Sequence, residues 1–215
     1  MQLFRDMARR AFEKEISPHY EQWEEDHMVP RELWNTLGTA GLLCPDVAEE
    51  YGGAGTTPHV TLAMIEELSY MCFGGFASAY GIHSNIIAPY LSRHGTPEQK
   101  AQWLPKMVTG ECVGALAMTE PGAGSDLQGI RTTAKADGNH LVINGSKTYI
   151  TNGCEGHCFL IYAKVEGKVT AFVVDRDCPG FSTSNHIDKL GMRGSTMSEL
   201  IFEDCKVPAN NLLGE

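Results

Sequence analysis

Hydrophobic positions recur at two different spacings along the chain, and the spacing changes near residue 111. Before that point apolar residues fall three and four apart. Leu3, Met7, Ala8, Ala11, Phe12 and Ile16 form one such stripe, with Arg and Glu between them, which predicts an amphipathic helix. Pro18 ends or kinks it, because proline has no N–H to donate and its ring crowds the preceding turn. "VPRELWNTLGTAGL" restarts a helix with Pro30 in a first-turn position, and "PDVAEEYGGAG" reads as a loop. "PHVTLAMIEELSY" and "GIHSNIIAPYLSRHG" read as two core helices. "TPEQKAQWLPKMVTGE" begins with Thr96 as N-cap, Pro97 first in the helix and Gln99 completing a capping box.

From Cys112 onward the apolar residues alternate or run in short blocks. "CVGALAM" reads as a strand. "IRTTAKADGNHLVING" alternates about a turn at Asp137-Gly138, and "SKTYITNG" follows a second predicted hairpin at Asn144-Gly145. "CFLIYAKV", "KVTAFVVD", "GFSTSNHI" and "SELIFEDCKV" are further short strands, with no helix between them. The pattern predicts an α+β chain: an all-α N-terminal helical domain over 1–111, then an antiparallel β-barrel or sandwich domain over 112–215.

Composition changes that picture only by exclusion. Twenty-seven acidic against 17 basic residues give a formal charge of −10, which argues against a nucleic-acid partner. An anionic cofactor is still allowed, since backbone N–H groups hold phosphate whatever the net charge. From Glu67 to Arg93 no charged residue intervenes, long enough to span a bilayer. Its glycines, serines, His83, Asn85 and Pro89 fit buried helices of a soluble core better, so no membrane span is expected. The first residues are charged and amphipathic, unlike a secretory signal or transit peptide. Seven cysteines form no CxxC pair, and an odd, scattered set suits a reducing compartment. Cys154, His157 and Cys158 in "CEGHC" are either a zinc half-site or a turn entering a buried strand; without a second ligand pair the turn is expected and no metal site is assigned.

Candidate chemistry centres on "AMTEPGAGSD", residues 117–126. Gly122 and Gly124 have the first spacing of a dinucleotide fingerprint, but position 127 is Leu and a strand follows instead of a helix. What remains is a strand ending in a glycine-rich turn, either an anion nest of backbone N–H groups or a plain β-turn. Ser125 and Thr119 add hydroxyls. His83 invites the role of a base, yet a lone histidine in an apolar helical stretch is more simply a satisfied core residue. Lys189, Arg193 and Ser195 in "KLGMRGS" read as anion or interface contacts, or as a polar loop at the barrel's edge.

In order along the chain stand "EEYGGAG", "WLPKMVTGE", "ALAMTEPGAGSDLQG", "NGSKTYITNG", "TAFVVD", "PGFS", "KLGMRGS" and "ELIFEDCKVPANNLLG". That series resembles the acyl-CoA dehydrogenase family of flavoenzymes, from about residue 3 to the last. "HSNIIAPYL" and "GSDLQGIRTTA" look most like bacterial long-chain-type members, whereas "LIYAKV" and "KLGMRGS" with "SELIFEDCKVP" look more like isovaleryl-CoA or other short- and branched-chain members. The resemblance implies FAD as cofactor and α,β-dehydrogenation of acyl-CoA thioesters. Leu116, Ala117, Met118, Thr119, Glu120, Pro121, Gly122, Ala123, Gly124 and Ser125 match the family's first flavin-binding stretch. Thr119 would meet the polar edge of the flavin, and Ser125 the pyrophosphate and the CoA arm of the substrate. Tyr149, Ile150 and Thr151 match the second stretch, commonly Trp-Ile-Thr, so Tyr149 departs from the pattern while keeping an aromatic face.

By the same resemblance the carboxylate that takes the acyl α-proton comes from a C-terminal helical domain, so no catalytic residue is assigned in this sequence. The chain by itself is expected to be inactive or nearly so. Implied partners are an acyl-CoA substrate, an electron-transferring flavoprotein and further copies in a full-length homo-oligomer, in the cytoplasm or, in a eukaryote, the mitochondrial matrix. An acyl-CoA oxidase, which reoxidises with oxygen, and an FAD-free binding module are the alternatives.

Overall fold

The computed structural model describes residues 2–214. Seven α-helices come first: α1 (Gln2–Glu15), α2 (Tyr20–Asp26), α3 (Arg31–Thr39), α4 (Pro58–Tyr70), α5 (Gly74–Tyr80), α6 (Ala88–His94) and α7 (Pro97–Val108). Seven strands follow: β1 (Gly114–Ala117), β2 (Thr133–Asp137), β3 (His140–Thr151), β4 (Cys158–Val165), β5 (Lys168–Asp175), β6 (Phe181–Thr183) and β7 (Met197–Pro208).

Local chemistry accounts for most of the boundaries. The α7 capping box is present as expected: Thr96 Oγ1 accepts the Gln99 N–H at 3.2 Å, and the Gln99 side chain accepts the Thr96 N–H at 3.1 Å. Helix α1 ends at Glu15, before Pro18, and docks on α4, where the Glu67 carboxylate, 1% exposed, takes the guanidinium groups of Arg5 and Arg9. Helix α2 was not expected. α5 and α6 are one rod, continuous through a π-helical turn at Gly81–Ile87, rather than a helix starting at Gly81. Pro89 has no N–H for the carbonyl four residues back, and the wide turn lies just before it. The uncharged stretch is packed through Phe76, Tyr80, His83, Ile87 and Leu91. Among the described residues no helix is long and apolar enough to cross a membrane.

The strands form one curled, mixed sheet in the order β1-β4-β2-β3-β7-β6, with β5 on the other edge of β4. Most pairs are antiparallel, as expected, but β1 and β2 both run parallel to β4 along the same edge, at Gly114–Ala117 and at Thr133. Strand β4 is buried on both faces, which explains its unbroken apolar run. Cys158 and Leu160 join the helical core; Phe159, Ile161 and Ala163 fill the inside of the curl with Ile143, Phe172, Leu200 and Phe202.

The Asp137-Gly138 hairpin is as expected, Asp137 pairing with His140 and Gly138 at φ 64°. The one at Asn144-Gly145 is not: β3 runs straight through it, opposite a bulge in β7 that sets Glu203 and Asp204 (φ 48°) against Asn144. Asn144 is occupied by Asp204, accepting its N–H at 2.9 Å and donating Nδ2 to its carboxylate at 3.1 Å. Gly145 sits at φ 146°, where a Cβ would come within 2.5 Å of Thr132 Oγ1. Asn-Gly therefore lies opposite a bulge: Asn144 holds the extra β7 residue, and Gly145 takes a positive φ and a close approach that a Cβ would forbid. Gly145→Ala is expected to cost at least ~2 kcal/mol and lower Tm by roughly 4–8 °C in a thermal melt.

Two side chains tie the helices to the sheet. His83 lies in the π-helical turn and Asn152 just past β3; Asn152 Nδ2 donates to the carbonyls of Ala79 and Gly114, each at 3.0 Å.

Candidate functional site

The turn after β1 and the second half of β3 lie side by side. Thr148 N–H donates to the Thr119 carbonyl at 2.9 Å. Pro121 and Gly122 form the tip of a tight reversal, since Glu120 N–H reaches Ala123 O at 2.9 Å and Ala123 N–H returns to Glu120 O at 3.1 Å. The two stretches singled out in the sequence, Leu116–Ser125 and Tyr149–Thr151, are thus brought together.

Beneath the turn sits a buried ion pair. Lys147 is fully buried, and its Nζ donates to Glu120 Oε1 at 2.8 Å and to the Met118 carbonyl at 3.2 Å. The other Glu120 partners are the Arg131 N–H at 2.6 Å, the Thr132 N–H at 3.1 Å and the Thr132 hydroxyl at 2.6 Å. Burial works to raise the Glu120 carboxyl, but Lys147, Thr132 and the two backbone donors outweigh it and hold it below the usual range. Burial depresses the Lys147 ammonium, with Glu120 opposing. Both groups are spent on each other and on the loop, so Glu120 shapes the turn from inside and is not placed as a free base.

The glycines work by leaving space. Neither Gly122 nor Gly124 has a left-handed φ, and a Cβ on either would meet nothing within 4 Å. The loop therefore offers a bare backbone face, flanked by exposed Ser125 and half-buried Thr119. On β3 a second bulge, between Lys147 and Ile150, puts two residues opposite Glu199 and turns Tyr149 to φ 58°. Its ring is left 64% exposed, large for an aromatic residue, while Ile150 stays in the core. Thr151 is half-buried. Ala117, Ala123 and Ile150 are buried and offer a ligand little or no surface. A bare glycine face, three hydroxyls and an outward aromatic ring on adjoining turns fit a flat, anionic cofactor such as FAD.

The other candidates have structural work. His83 is fully buried: Nδ1 accepts the Gly114 N–H at 3.0 Å, and Nε2 donates to the Met107 carbonyl at 3.1 Å. Burial lowers its pKa to about 4, with the Met107 bond opposing, so the ring is neutral near pH 7. Lys189 Nζ donates to the Met192 carbonyl at 2.6 Å and to Ser195 O and Oγ at 2.7 and 2.8 Å. Arg193 and Gly194 donate their N–H groups to the Glu24 carboxylate on α2, both at 2.8 Å, and Tyr20 donates its hydroxyl to it at 2.7 Å. "KLGMRGS" is thus an interface within the chain. Cys158 is buried in the core and His157 Nδ1 accepts the Val113 N–H at 3.4 Å. Among the described residues no group of three or more metal-ligating side chains is gathered.

Lys147 and Thr132 were not picked out from the sequence. A signal existed for the lysine: Leu141, Ile143, Gly145 and Lys147 share one parity of a strand, and the first two face the core.

Comparison with known proteins bears on the whole chain. The family model described as the N-terminal domain of acyl-CoA dehydrogenase matches residues 1–111, and that of the middle domain matches residues 115–205. Long-chain specific acyl-CoA dehydrogenase of Rattus norvegicus is 41% identical over 99% of this chain and 51% of its own length. Isovaleryl-CoA dehydrogenase of Pongo abelii is 46% identical over 86% of this chain and 45% of its own. A crystal structure of acyl-CoA dehydrogenase complexed with FAD from Bacillus anthracis superposes with a TM-score of 0.93 at 38% identity, covering 100% of this chain and 37% of that one. The chain spans about half the length of the curated relatives it matches.

Proposed function

The chain belongs to the acyl-CoA dehydrogenase family, and on that premise we propose that it is the cofactor-holding part of an enzyme that removes the α and β hydrogens of acyl-CoA thioesters. One observation carries the reading: the Glu120–Lys147 pair and the Thr148–Thr119 bond join a bare glycine turn to an outward-facing aromatic bulge. FAD bound there would supply the two-electron acceptor. This chain's residues bind and orient it. The Ser125 hydroxyl and the N–H groups of Gly122, Gly124 and Ser125 would take the pyrophosphate charge, the Ala123 N–H being held by Glu120 O. Thr119 and Thr151 donate to the polar edge of the ring system, and Tyr149 covers one face. Ser125 also stands where the CoA arm would pass.

Glu120, the carboxylate inside the turn, is held by Lys147 and Thr132 and is not free to take the acyl α-proton. The chain alone is therefore expected to hold FAD without turnover: an anaerobic acyl-CoA titration should leave the flavin oxidised. In the whole protein, electrons would pass to an electron-transferring flavoprotein, and further copies of the chain would complete a homo-oligomer. A reducing compartment suits its thiols: the cytoplasm, or the matrix in a eukaryote, in line with relatives named as mitochondrial.

Gly124→Val tests the site directly. A Cβ there meets nothing within 4 Å, so Tm should stay within about 1 °C of the parent. The same side chain stands on the bare face, and FAD affinity in a fluorescence titration should fall at least ~10-fold. Unchanged affinity would remove the turn from the cofactor site.

A further inference from the structure

Away from this site, at the outer edge of the sheet, two thiols face each other. Cys178, half-exposed, lies in the turn from β5 to β6; Cys205, fully buried, lies on β7, 27 positions later. The Cys205 thiol donates to Cys178 Sγ at 3.5 Å, and the Cys178 thiol donates to the Lys206 carbonyl at 2.9 Å. Backbone bonds hold the turn against β7 on both sides of the pair: Glu203 N–H to Gly180 O at 2.9 Å, and Lys206 N–H to Pro179 O at 3.3 Å. Gly180, at φ 85°, permits the approach, since a Cβ would lie 2.4 Å from the Glu203 carbonyl oxygen.

The geometry points to Cys178 and Cys205 as a modification site, a dithiol that closes to a disulfide by exchange with a low-molecular-weight disulfide of the glutathione type. Sulfurs already in contact on a hydrogen-bonded frame need only small side-chain rotations to reach bonding distance. Cys178, the accessible sulfur, attacks as thiolate on one sulfur of the small disulfide, whose other half leaves as thiolate. Cys205 then attacks the Cys178 sulfur, forms the protein disulfide and expels the second half. The two protein thiols lose two electrons and two protons; the small disulfide gains both and becomes two thiols. Burial raises both protein thiols above the usual range, with nearby Asp175 adding to the effect at Cys178. Such thiols are poor leaving groups, so the closed form resists re-reduction, while its formation is slow near neutral pH. The link would tie the β5–β6 turn to β7 and enclose the "KLGMRGS" loop.

Oxidised glutathione is the probe. After incubation and tryptic digestion, peptides 177–189 and 194–206 should be recovered joined, two hydrogens lighter than the free pair. Cys205→Ala should stop at a glutathione adduct on Cys178, and Cys178→Ala should leave Cys205 as a thiol. The joined form should melt roughly 5–10 °C above its dithiothreitol-treated control, the size expected for closing a loop of this length. A lasting adduct on wild-type Cys178 with no joined peptides, or no reaction at either thiol, would overturn the proposal. So would a joined form of unchanged Tm, because the link would then have formed only with the turn detached from β7.

Discussion

Lys147→Met is expected to destabilise the chain by roughly 3–5 kcal/mol, because it leaves the Glu120 carboxylate buried without its cation. In a thermal melt that is a fall of roughly 10 °C, and FAD retention should drop with it, since the same pair shapes the turn. The lysine also carries the Met118 carbonyl, which would lose its donor. Pairing the change with Glu120→Gln separates charge from packing. The amide carries no charge, and its one oxygen still accepts from Thr132 although the Arg131 N–H loses its acceptor, so the double variant should recover part of the loss. Losses that simply add would mean that the ion pair is not what holds the turn.

His83→Leu should cost a comparable amount, roughly 3–5 kcal/mol, for a different reason. It removes the acceptor of the buried Gly114 N–H at the start of β1 and one donor to the Met107 carbonyl near the end of α7, which keeps the Gly110 N–H. Those groups belong to the helical and the strand-built halves, so the loss falls on their junction. The histidine also makes stability depend on pH. Burial first, with a smaller contribution from Arg31, brings its folded pKa to about 4 against 6.5 for a free ring. Between those values the unfolded chain binds more protons, so this contribution is complete above pH 6.5 and is lost as pH falls toward 4. It amounts to about 3 kcal/mol in full, with about 2 kcal/mol gone by pH 5. Urea melts at pH 7 and pH 5 check it: His83→Leu should lose less stability between the two than the parent does. Equal losses would show that the ring is not protonated on unfolding in that range.

Local signals carried much of the fold. The Thr96–Gln99 box, the β2–β3 hairpin and the doubly buried run of β4 all rest on residues close together in sequence. The glycine turn was equally visible, and the failure of the dinucleotide pattern at Leu127 pointed to a strand-built site. What sequence could not carry was long-range placement. The parallel pairing of β1 and β2 with one edge of β4 depends on which edges meet, and nothing within a strand records that. Asn144-Gly145 misled because a glycine at positive φ in close contact with a neighbouring strand looks the same in sequence as a hairpin turn; Asp204, 60 positions on in the facing β7 bulge, decides between them. Glu24 and the "KLGMRGS" loop meet across 169 and 170 positions, with no periodicity to announce it. Lys147 was legible by strand parity, but an inward lysine makes sense only with its partner known.

β1 leaves β4 opposite Ile161, and β2 rejoins it opposite Lys164, with the whole glycine turn spent between. Both ends of the turn are therefore moored to one strand, itself buried on both sides. The exposed residues of the turn, Pro121, Gly122 and 124–128, thus project from a span whose two ends are held in register on β4.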